Sequence, residues 1–252
     1  MYLFDLTGKN ALVTGGNRGL GFGITEGLCE AGARVVILAS SDSVYTAAQE
    51  FTKKGFDVTG VKCDLSNPAD IEAAFEKVMG IFDGKLDILV NNAGIQRRNR
   101  CEEFLASDWD DVINVNLRSV FQLCQLAGKK MIEQGGGKII NLASMLSFFG
   151  GFTVPAYAAA KGGVAQLTKA LSNEWASKNI NVNAIAPGYM ATEMNTKLIE
   201  DPKRNTEILG RIPAGRWGTP EDMKGLVIFL ASKASDYMSG AVIPVDGGYL
   251  GR

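Results

Sequence analysis

Histidine is absent from the 252 residues of this sequence. Without histidine the chain cannot carry out Ser-His-Asp hydrolysis or Cys-His proteolysis, and it has no imidazole with which to bind a metal ion. Any acid or base that the protein uses must therefore be a tyrosine, lysine, aspartate, glutamate or cysteine side chain.

An excess of positive charge is also lacking. Lysine and arginine together number 26 against 27 aspartates and glutamates, which gives a formal net charge of -1. A protein that binds nucleic acid or an anionic membrane surface usually has a basic excess with which to neutralise phosphates. We therefore expect neither a nucleic acid nor a membrane as a partner.

Cysteine is scarce, and so are long apolar runs. The four cysteines are Cys29, Cys63, Cys101 and Cys124. No two of them form a C-x-x-C pair, which favours free thiols in a reducing compartment over disulfides or a zinc site. No apolar run reaches the roughly 18 residues of a membrane span, and the first residues lack the pattern of a secretory signal. We expect a cytoplasmic protein.

What the chain does have is an alternation of short β-branched runs with amphipathic stretches. This pattern is typical of a parallel sheet covered by helices on both faces. It predicts one α/β domain over residues 1–252, with a doubly wound, Rossmann-like sheet of seven strands. The predicted strands are Asn10–Thr14, Arg34–Ala39, Asp57–Lys62, Leu86–Val90, Lys138–Ala143, Ile180–Ala186 and Ala241–Val245.

Helices are predicted between these strands. Asn67 followed by Pro68 is a typical helix start, because the asparagine oxygen caps a free N–H and proline has none to leave unpaired. Residues 188–218 have a poor pattern, and we interpret them as a helical flap over the site. The other predicted helices are Leu20–Ala31, Ser43–Lys54, Ser107–Gln134 as one long helix, Ala156–Lys178, and one that opens at Thr219 and runs to Ser232.

A glycine-rich turn, Thr14–Gly21, lies between the first strand and the first helix. Glycines there let the backbone approach a pyrophosphate, and the helix N-terminus faces its negative charge. Because tight packing turns also need glycine, the cluster alone is weak evidence. It makes this turn a candidate dinucleotide site.

Tyr157 and Lys161 are four residues apart in the predicted helix 156–178, so they share one face. The lysine ammonium is expected to lower the pKa of the tyrosine, which would then serve as acid and base. Such a pair arises easily by chance, so its surroundings matter. Ser144 follows the fifth strand at the edge where these folds bind ligands, and its hydroxyl could hold a substrate oxygen. Asn116 is either part of this site or a solvent-facing asparagine.

Together these residues resemble the short-chain dehydrogenase/reductase family, over Lys9 to Gly248. The resemblance implies an enzyme that transfers a hydride between the nicotinamide of NAD(P) and an alcohol or ketone. A member that binds the dinucleotide without turnover is the alternative from another class. The matching segments are Thr14–Gly21, Cys63–Leu65, Asn91–Gly94, Asn116, Ser144, Tyr157 with Lys161, Pro187-Gly188 with Thr192, and Asp246–Gly248.

The resemblance also implies roles for residues. Asn116, Ser144, Tyr157 and Lys161 form the catalytic tetrad, in which Lys161 also binds the nicotinamide ribose and Asn116 holds a proton-relaying water. Asp64 and Leu65 would meet the adenine, Asn91 to Gly94 would support the central strand and the cofactor, and Thr192 would hold the carboxamide. The full set of expected cofactor contacts is Gly15, Asn17, Arg18, Gly19, Leu20, Gly21, Ser40, Asp64, Leu65, Asn91, Ala93, Gly94, Tyr157, Lys161, Pro187, Gly188 and Thr192.

Other segments resemble family members that act at C5 of open-chain sugar acids in pectin and uronate breakdown. These segments include Gly94–Arg98, Ala143–Phe148 and Arg211–Gly218. A 3-keto acyl thioester is an alternative substrate, for which we would expect a basic patch to receive an acidic carrier protein, and the sequence pI of about 5.7 gives that patch no support. The expected substrate contacts are Gln96, Arg97, Arg98, Ser144, Met145 and Tyr157.

Arg97 and Arg98 are the residues on which chemistry and resemblance agree. A sugar acid carries a carboxylate, and a guanidinium can bind it through two parallel hydrogen bonds. Both arginines follow the fourth-strand motif, at the sheet edge where substrate is expected. We predict that at least one of them binds the carboxylate, with solvated loop arginines as the alternative.

The preferred cofactor depends on the end of the second strand. An acidic residue that would bind the ribose diol of NAD is missing there, because Ala39 is followed by Ser40, Ser41 and Asp42. No arginine follows to bind the 2′-phosphate of NADP, although Arg18 could reach it. By resemblance we expect NAD, with NADP possible, and a homotetramer built on the two long helices.

Overall fold

The computed structural model of the protein describes residues 2–252, which form a single Rossmann-like domain around one seven-stranded sheet. All neighbouring strands are parallel, in the order β3-β2-β1-β4-β5-β6-β7. The predicted fold class is confirmed. The strands are β1 (Asn10–Thr14), β2 (Arg34–Ala39), β3 (Val58–Lys62), β4 (Ile88–Asn91), β5 (Gly137–Leu142), β6 (Ile180–Pro187) and β7 (Val242–Val245).

Helices cover both faces of the sheet because alternate strand residues point to opposite sides. Leu12 packs in the apolar cluster with residues of α3, α5 and α6, whereas Ala11 and Val13 pack in the cluster with α1, α2 and α9. The helices are α1 (Gly19–Glu30), α2 (Ser43–Lys53), α3 (Pro68–Ile81), α4 (Ala106–Ile113), α5 (Ser119–Gln134), α6 (Pro155–Trp175), α7 (Thr196–Glu200), α8 (Pro202–Leu209) and α9 (Glu221–Ala231).

The strand order reverses between β1 and β4, which are hydrogen-bonded neighbours at the centre of the sheet. Connections leave these two strands toward opposite sides, so a crevice opens beyond their carboxyl ends. The glycine-rich turn follows β1, and the Asn91–Gly94 segment begins at the last residue of β4. The topology therefore brings both motifs to the same crevice.

The long helix predicted over Ser107–Gln134 is present as one continuous helical stretch over residues 106–134, but the sequence did not predict the irregular turn in its middle. A π-turn at Asn114–Arg118 separates α4 from α5. A π-turn adds one residue to a helical turn and often occurs at functional sites. The periodicity of apolar residues does not reveal such an insertion, because both flanking helices keep the ordinary helical period.

The helix boundaries elsewhere follow local chemistry. The Asn67 side chain accepts a hydrogen bond of 3.0 Å from the Ala69 N–H, with Pro68 as the first residue of α3, as the sequence predicted. At the other end of a helix, Gly135 adopts a left-handed φ of 89° and terminates α5. Glycine takes this conformation without steric cost, which makes it the usual residue after a helix.

The segment 188–218, predicted to form a flap, contains α7 and α8. Its inner side packs in a small apolar cluster that includes Met145, Ile208, Ile212 and Tyr249. The segment is also joined to itself by a bridge between Met190 and Gly218. Across residues 2–252, no helix combines the length and apolar character that crossing a membrane requires.

Candidate active site

The glycine-rich turn has the shape of an anion cradle. Gly15 and Gly19 have φ values of +65° and +54°, which L side chains rarely adopt. A Cβ atom at Gly21 would overlap the carbonyl oxygen of Gly15. Arg18, the residue before α1, makes no capping hydrogen bond with its side chain, so free N–H groups at the start of α1 can receive a pyrophosphate.

Thr14 joins the turn to the end of β4. Its hydroxyl oxygen accepts hydrogen bonds of 3.0 Å from the backbone N–H groups of Asn92 and Ala93. The Asn92 amide in turn donates to the carbonyl oxygens of Thr14 and Gly15, at 2.9 and 3.2 Å. These bonds hold the two motifs at a fixed separation, so the crevice between them is formed by the chain itself.

A cavity of about 1310 Å³ extends from this turn along the carboxyl edge of the sheet. Its lining includes most of the residues expected to touch a dinucleotide. These are Gly15, Asn17, Arg18, Gly19, Leu20, Gly21, Ser40, Asp64, Leu65, Ala93, Gly94, Tyr157, Lys161, Pro187, Gly188 and Thr192. The cradle, the free N–H groups and the volume of the cavity together fit a nicotinamide dinucleotide.

Three residues predicted for the site lie outside the lining. Asn91 is buried and donates to Asn141 Oδ1 at 2.9 Å, so its side chain points into the core beneath the crevice. Met145, predicted to touch substrate, packs instead with Ile208 and the rest of the apolar cluster beside the segment 188–218. Asn116 is fully buried and lies behind the lining. Successive side chains at the end of a strand point to opposite sides, and a sequence motif does not show which of them point into the core and which into the cavity.

Several lining residues were not among the predicted contacts. Glu193 and Asn195 lie just after Thr192 in the sequence, so they could have been predicted as lining residues from that position. Nothing in the sequence around Asp111 of α4 indicated that it would line the cavity. The lining residues that sequence reasoning missed are Ala39, Ser41, Ser43, Cys63, Ser66, Asn92, Ile95, Asp111, Val115, Leu142, Ala143, Met190, Glu193, Met194 and Asn195.

Tyr157 and Lys161 occupy one face of α6 at the end of the cavity beside β5. Lys161 is only 3% exposed, and its Nζ donates a hydrogen bond of 2.5 Å to the carbonyl oxygen of Leu142, at the end of β5. The same Nζ lies 5.7 Å from the centre of the Tyr157 ring. Packing of α6 against the sheet thus sets the position of both polar groups.

Ser144 lies two residues beyond β5, at the start of a short 3-10 turn. Its hydroxyl accepts a hydrogen bond of 3.2 Å from the Leu146 N–H and lies near enough to Tyr157 to lower the pKa of that phenol. Ser147, in the same turn, donates a hydrogen bond of 2.7 Å from its hydroxyl to the carbonyl oxygen of Lys161. This bond attaches the turn to α6 and keeps Ser144 beside Tyr157.

The pKa of Tyr157 differs from the sequence prediction, which expected Lys161 to lower it. Burial raises the pKa of Tyr157, with smaller opposing effects from the Ser144 hydrogen bond and the charge of Arg98. Burial also lowers the pKa of Lys161 to about 8. Burial therefore outweighs the lowering of the Tyr157 pKa that the spacing of Tyr157 and Lys161 had led us to expect.

Asn116 is fully buried, so the alternative of a solvent-facing asparagine is wrong. Its Oδ1 accepts from the Ile95 N–H and its Nδ2 donates to the Ile95 carbonyl, both at 2.8 Å. This reciprocal pair joins the π-turn to the segment that follows β4. The amide fixes the backbone of that segment, which leads on to Arg97 and Arg98.

The arrangement can exchange a proton with an oxygen bound between Ser144 and Tyr157. A neutral phenol at that point can donate its proton to a carbonyl oxygen, and the phenolate can accept one from a hydroxyl. Ser144 can hold the same oxygen by a hydrogen bond. This is the chemistry that accompanies hydride transfer to or from a carbonyl carbon.

Comparison with proteins of known sequence supports this assignment. A family model described as Enoyl-(Acyl carrier protein) reductase matches residues 15–250. The chain is 51% identical to the 2-dehydro-3-deoxy-D-gluconate 5-dehydrogenase of Dickeya dadantii (strain 3937), over 99% of this chain and 98% of the relative. It is 49% identical to the enzyme of the same name from Bacillus subtilis (strain 168), over 99% and 97%.

A solved structure agrees with these relatives. The crystal structure of a gluconate 5-dehydrogenase from Burkholderia cenocepacia J2315, in complex with NADP and tartrate, has a TM-score of 0.95 and 41% sequence identity. The match covers 99% of this chain and 98% of that one. The family match, the fold and the geometry of the crevice of this protein agree with one another. They show that this chain belongs to the short-chain dehydrogenase/reductase family of NAD(P)-dependent oxidoreductases.

Proposed function

We propose that this chain is a 2-dehydro-3-deoxy-D-gluconate 5-dehydrogenase, which interconverts the C5 hydroxyl and ketone of that sugar acid. The observation that carries the proposal is the 51% identity to the Dickeya dadantii enzyme over nearly the whole of both chains. The cavity end that contains Ser144 and Tyr157 is consistent with it, because Arg97 and Arg98 lie in the same lining. Such an enzyme would act in the breakdown of pectin and uronates.

A nicotinamide dinucleotide held by the Thr14–Gly21 turn and the rest of the cavity lining would supply or accept the hydride at C5. Tyr157 exchanges the proton of the C5 oxygen: it donates the proton when the ketone is reduced and accepts it when the alcohol is oxidised. The raised pKa of Tyr157 keeps the phenol protonated at neutral pH, which suits reduction. Ser144 would hold the C5 oxygen, and Lys161, buried beside the Tyr157 ring in the cavity lining, would bind the nicotinamide ribose.

Tyr157→Phe tests this assignment of the proton. The variant should bind cofactor normally but turn over at least about a hundredfold more slowly, which is the usual contribution of general acid-base catalysis. Tyr237→Phe is the matched control, because Tyr237 is fully exposed. Turnover of Tyr157→Phe near that of the wild type would disprove the mechanism.

For the cofactor we propose that the groove admits both NAD and NADP. Ser40, Ser41 and Ser43 line its adenosine end, and the Asp42 carboxylate is paired with Lys62 at 2.9 Å, which weakens its repulsion of a 2′-phosphate. Arg18 is paired with Glu193 at 3.0 Å. That pairing competes with a 2′-phosphate, which supports the NAD preference expected from the sequence.

We also propose that the protein is a cytoplasmic homotetramer built on its long helices. Trp109, Phe121 and Ile132 on α4 and α5 are 40 to 46% exposed, and the last two are about three helical turns apart on one face. The free state of all four cysteines supports a reducing compartment. Light scattering should give the tetramer mass for the wild type and for Tyr45→Glu, and a smaller mass for Phe121→Glu.

Gluconate 5-dehydrogenase is the second candidate, because the Burkholderia cenocepacia structure of that name superposes with a TM-score of 0.95. A kinetic panel separates the two. Purified protein should be assayed at the nicotinamide absorbance band with 2-dehydro-3-deoxy-D-gluconate, gluconate and 5-ketogluconate, each with NAD(H) and NADP(H). A higher kcat/KM for the deoxy acid supports the proposal, and a higher value for the gluconate pair supports the alternative. Cofactor binding without turnover of any substrate would identify a non-catalytic binder.

A further inference from the structure

Ser147 ends the short turn Met145–Ser147, between β5 and α6. Its side chain is half-buried, and it is not among the described residues that line the cavity. Its hydroxyl nevertheless accepts a hydrogen bond of 3.3 Å from the Ser144 N–H and donates one of 2.7 Å to the Lys161 carbonyl. One hydroxyl thus joins the backbones of two residues that the proposed reaction uses.

These two bonds belong to a closed ring. The Lys161 ammonium donates to the carbonyl of Leu142, which is the last residue of β5. From Leu142 the chain runs through Ala143 to Ser144, and Ser147 connects Ser144 back to the Lys161 carbonyl. Lys161 is therefore held both by its side chain and by its backbone. Neither the turn nor this part of α6 can shift relative to β5 without breaking one of these bonds.

The turn also fixes the direction of the Ser144 hydroxyl. The Ser144 oxygen accepts a hydrogen bond from the Leu146 N–H, while the Ser147 oxygen accepts one from the Ser144 N–H, so the two serines cap the turn reciprocally. A serine hydroxyl has one proton to donate and two lone pairs. Because the Leu146 N–H occupies one lone pair, the Ser144 proton can point to an oxygen bound beside Tyr157.

We infer that Ser147 is a positioning residue, whose hydroxyl sets the place of the Ser144 hydroxyl relative to Tyr157 and does not itself touch the substrate. This rests on the proposed function, in which the substrate oxygen lies between Ser144 and Tyr157. Proton and hydride transfer need closely aligned atoms, and a displacement of about 1 Å can lower the rate about a hundredfold. The rate of the chemical step should therefore depend on a side chain outside the cavity lining.

Ser147→Ala tests this role, because it removes both hydrogen bonds of the hydroxyl and leaves the backbone of the turn. It should lower kcat by roughly five- to fiftyfold and change KM and the cofactor Kd by less than about twofold, since alignment is lost and the binding residues remain. The isotope effect measured with cofactor deuterated at the reacting carbon of the nicotinamide should increase, because slower hydride transfer then limits turnover. Ser147→Thr, which keeps the hydroxyl, should recover most of the activity.

A double-mutant cycle shows whether Ser147 acts through Ser144. Ser144→Ala alone should lower kcat more than Ser147→Ala does, and adding Ser147→Ala to it should have little further effect.

The pH profile gives an independent measurement. The Ser144 hydroxyl lowers the pKa of Tyr157, so displacing or removing it should raise that pKa. Alcohol oxidation needs the Tyr157 phenolate, and its pH profile should therefore move to higher pH in both single variants. A serine that only stabilised the fold would shift neither the isotope effect nor this profile.

Thr52→Ala is the matched control. The Thr52 hydroxyl also donates to a helix carbonyl, that of Ala48 at 2.9 Å, but it lies on α2 outside the cavity lining. This variant should leave kcat, the isotope effect and the pH profile unchanged. Thermal unfolding of every variant checks that the fold is intact.

The outcomes separate the two proposals. A wild type that turns over no sugar acid would overturn the proposed function and the role of Ser147 together. An active wild type whose kcat, isotope effect and pH profile are unchanged by Ser147→Ala would overturn the role of Ser147 alone. Fully additive losses in the double variant would also overturn it, because Ser147 would then not act through Ser144.

Discussion

Two buried lysines of this protein lie in opposite surroundings. Lys161, 3% exposed in the candidate active site, has one carbonyl partner, and its pKa is lowered to about 8 by burial. Lys224, 9% exposed on α9 where it packs against α1, is 2.9 Å from the carboxylates of Glu26, Glu30 and Glu221. Those hydrogen bonds raise the pKa of Lys224 against the opposing effect of its burial.

The two lysines differ in their partners and not in their burial. Burial alone does not distinguish the two, because both are removed from water. The number of neighbouring carboxylates does distinguish them: Lys224 has three carboxylate partners, as a structural ion pair does, whereas Lys161 has none among the described residues and its pKa is strongly lowered, which is typical of a candidate functional site. Arg97 and Arg98 repeat the contrast on a smaller scale, with Asp108 and Asp111 as the partners of Arg97.

The largest expected effect is on turnover. Lys161→Met should lower kcat by at least about a hundredfold and weaken cofactor binding, because it removes the cation beside Tyr157. Lys224→Met should change kcat by less than about twofold, since Lys224 lies between α1 and α9, away from the cavity lining. Steady-state assays and cofactor titration measure both. Equal losses in the two variants would refute the distinction.

A pH series should show the two lysines with opposite signs. Between about pH 8 and the ordinary lysine value of 10.5, the unfolded chain keeps a proton that folded Lys161 has lost, so stability rises with pH. The difference in unfolding free energy between wild type and Lys161→Met should therefore increase by on the order of 2 to 3 kcal/mol from pH 7 to pH 10. Subtracting the unfolding free energy of the variant at each pH cancels the contributions of the other titrating groups.

Lys224 should give no such increase. Its folded pKa is raised, so its stabilising contribution is fully present below the unfolded value of 10.5 and is lost only as pH rises beyond it. The difference between wild type and Lys224→Met should stay constant from pH 7 to pH 10. Urea unfolding at each pH provides the measurement, and a rising difference for Lys224 would contradict the ion-pair explanation.

At neutral pH the two substitutions should move stability in opposite directions. Lys224→Met leaves three carboxylates without their shared cation and should cost about 2 kcal/mol, less than for a fully buried pair because the glutamates are partly exposed. Lys161→Met removes an ammonium with a single acceptor and should raise the melting temperature while abolishing activity. Lys130→Met, which breaks an exposed pair with Glu133, should cost less than about 0.5 kcal/mol.

The smallest effect is expected at an exposed pair. Arg18 and Glu193 are 73% and 72% exposed, so their attraction is weak. Glu193→Gln frees Arg18 and should raise the affinity for NADP relative to NAD by roughly two- to fivefold. Fluorescence titration with the two cofactors measures the ratio, and Glu200→Gln on the same segment is the control. An unchanged ratio would show that Arg18 plays no part in cofactor choice.

The sequence by itself was enough for the fold class and for most of the site. Parallel strands alternate with helices, so the strand runs could be counted, and a parallel sheet brings their carboxyl ends to one edge. The spacing of Tyr157 and Lys161 placed both on one helix face, because the helical period is a local property. The glycine-rich turn could also be predicted from the local sequence, because glycine adopts positive φ values without steric cost.

Tertiary structure alone decided the rest. The π-turn, the inward turn of Met145 and the different partners of Arg97 and Arg98 depend on how α4, α6 and the segment 188–218 pack. The pKa of Tyr157 moved opposite to prediction because burial, not helical spacing, controls it. Lys224 forms ion pairs with Glu26 and Glu30, which are distant from it in the sequence. Charge and desolvation act through space, so residue type and spacing cannot determine them until the chain has folded.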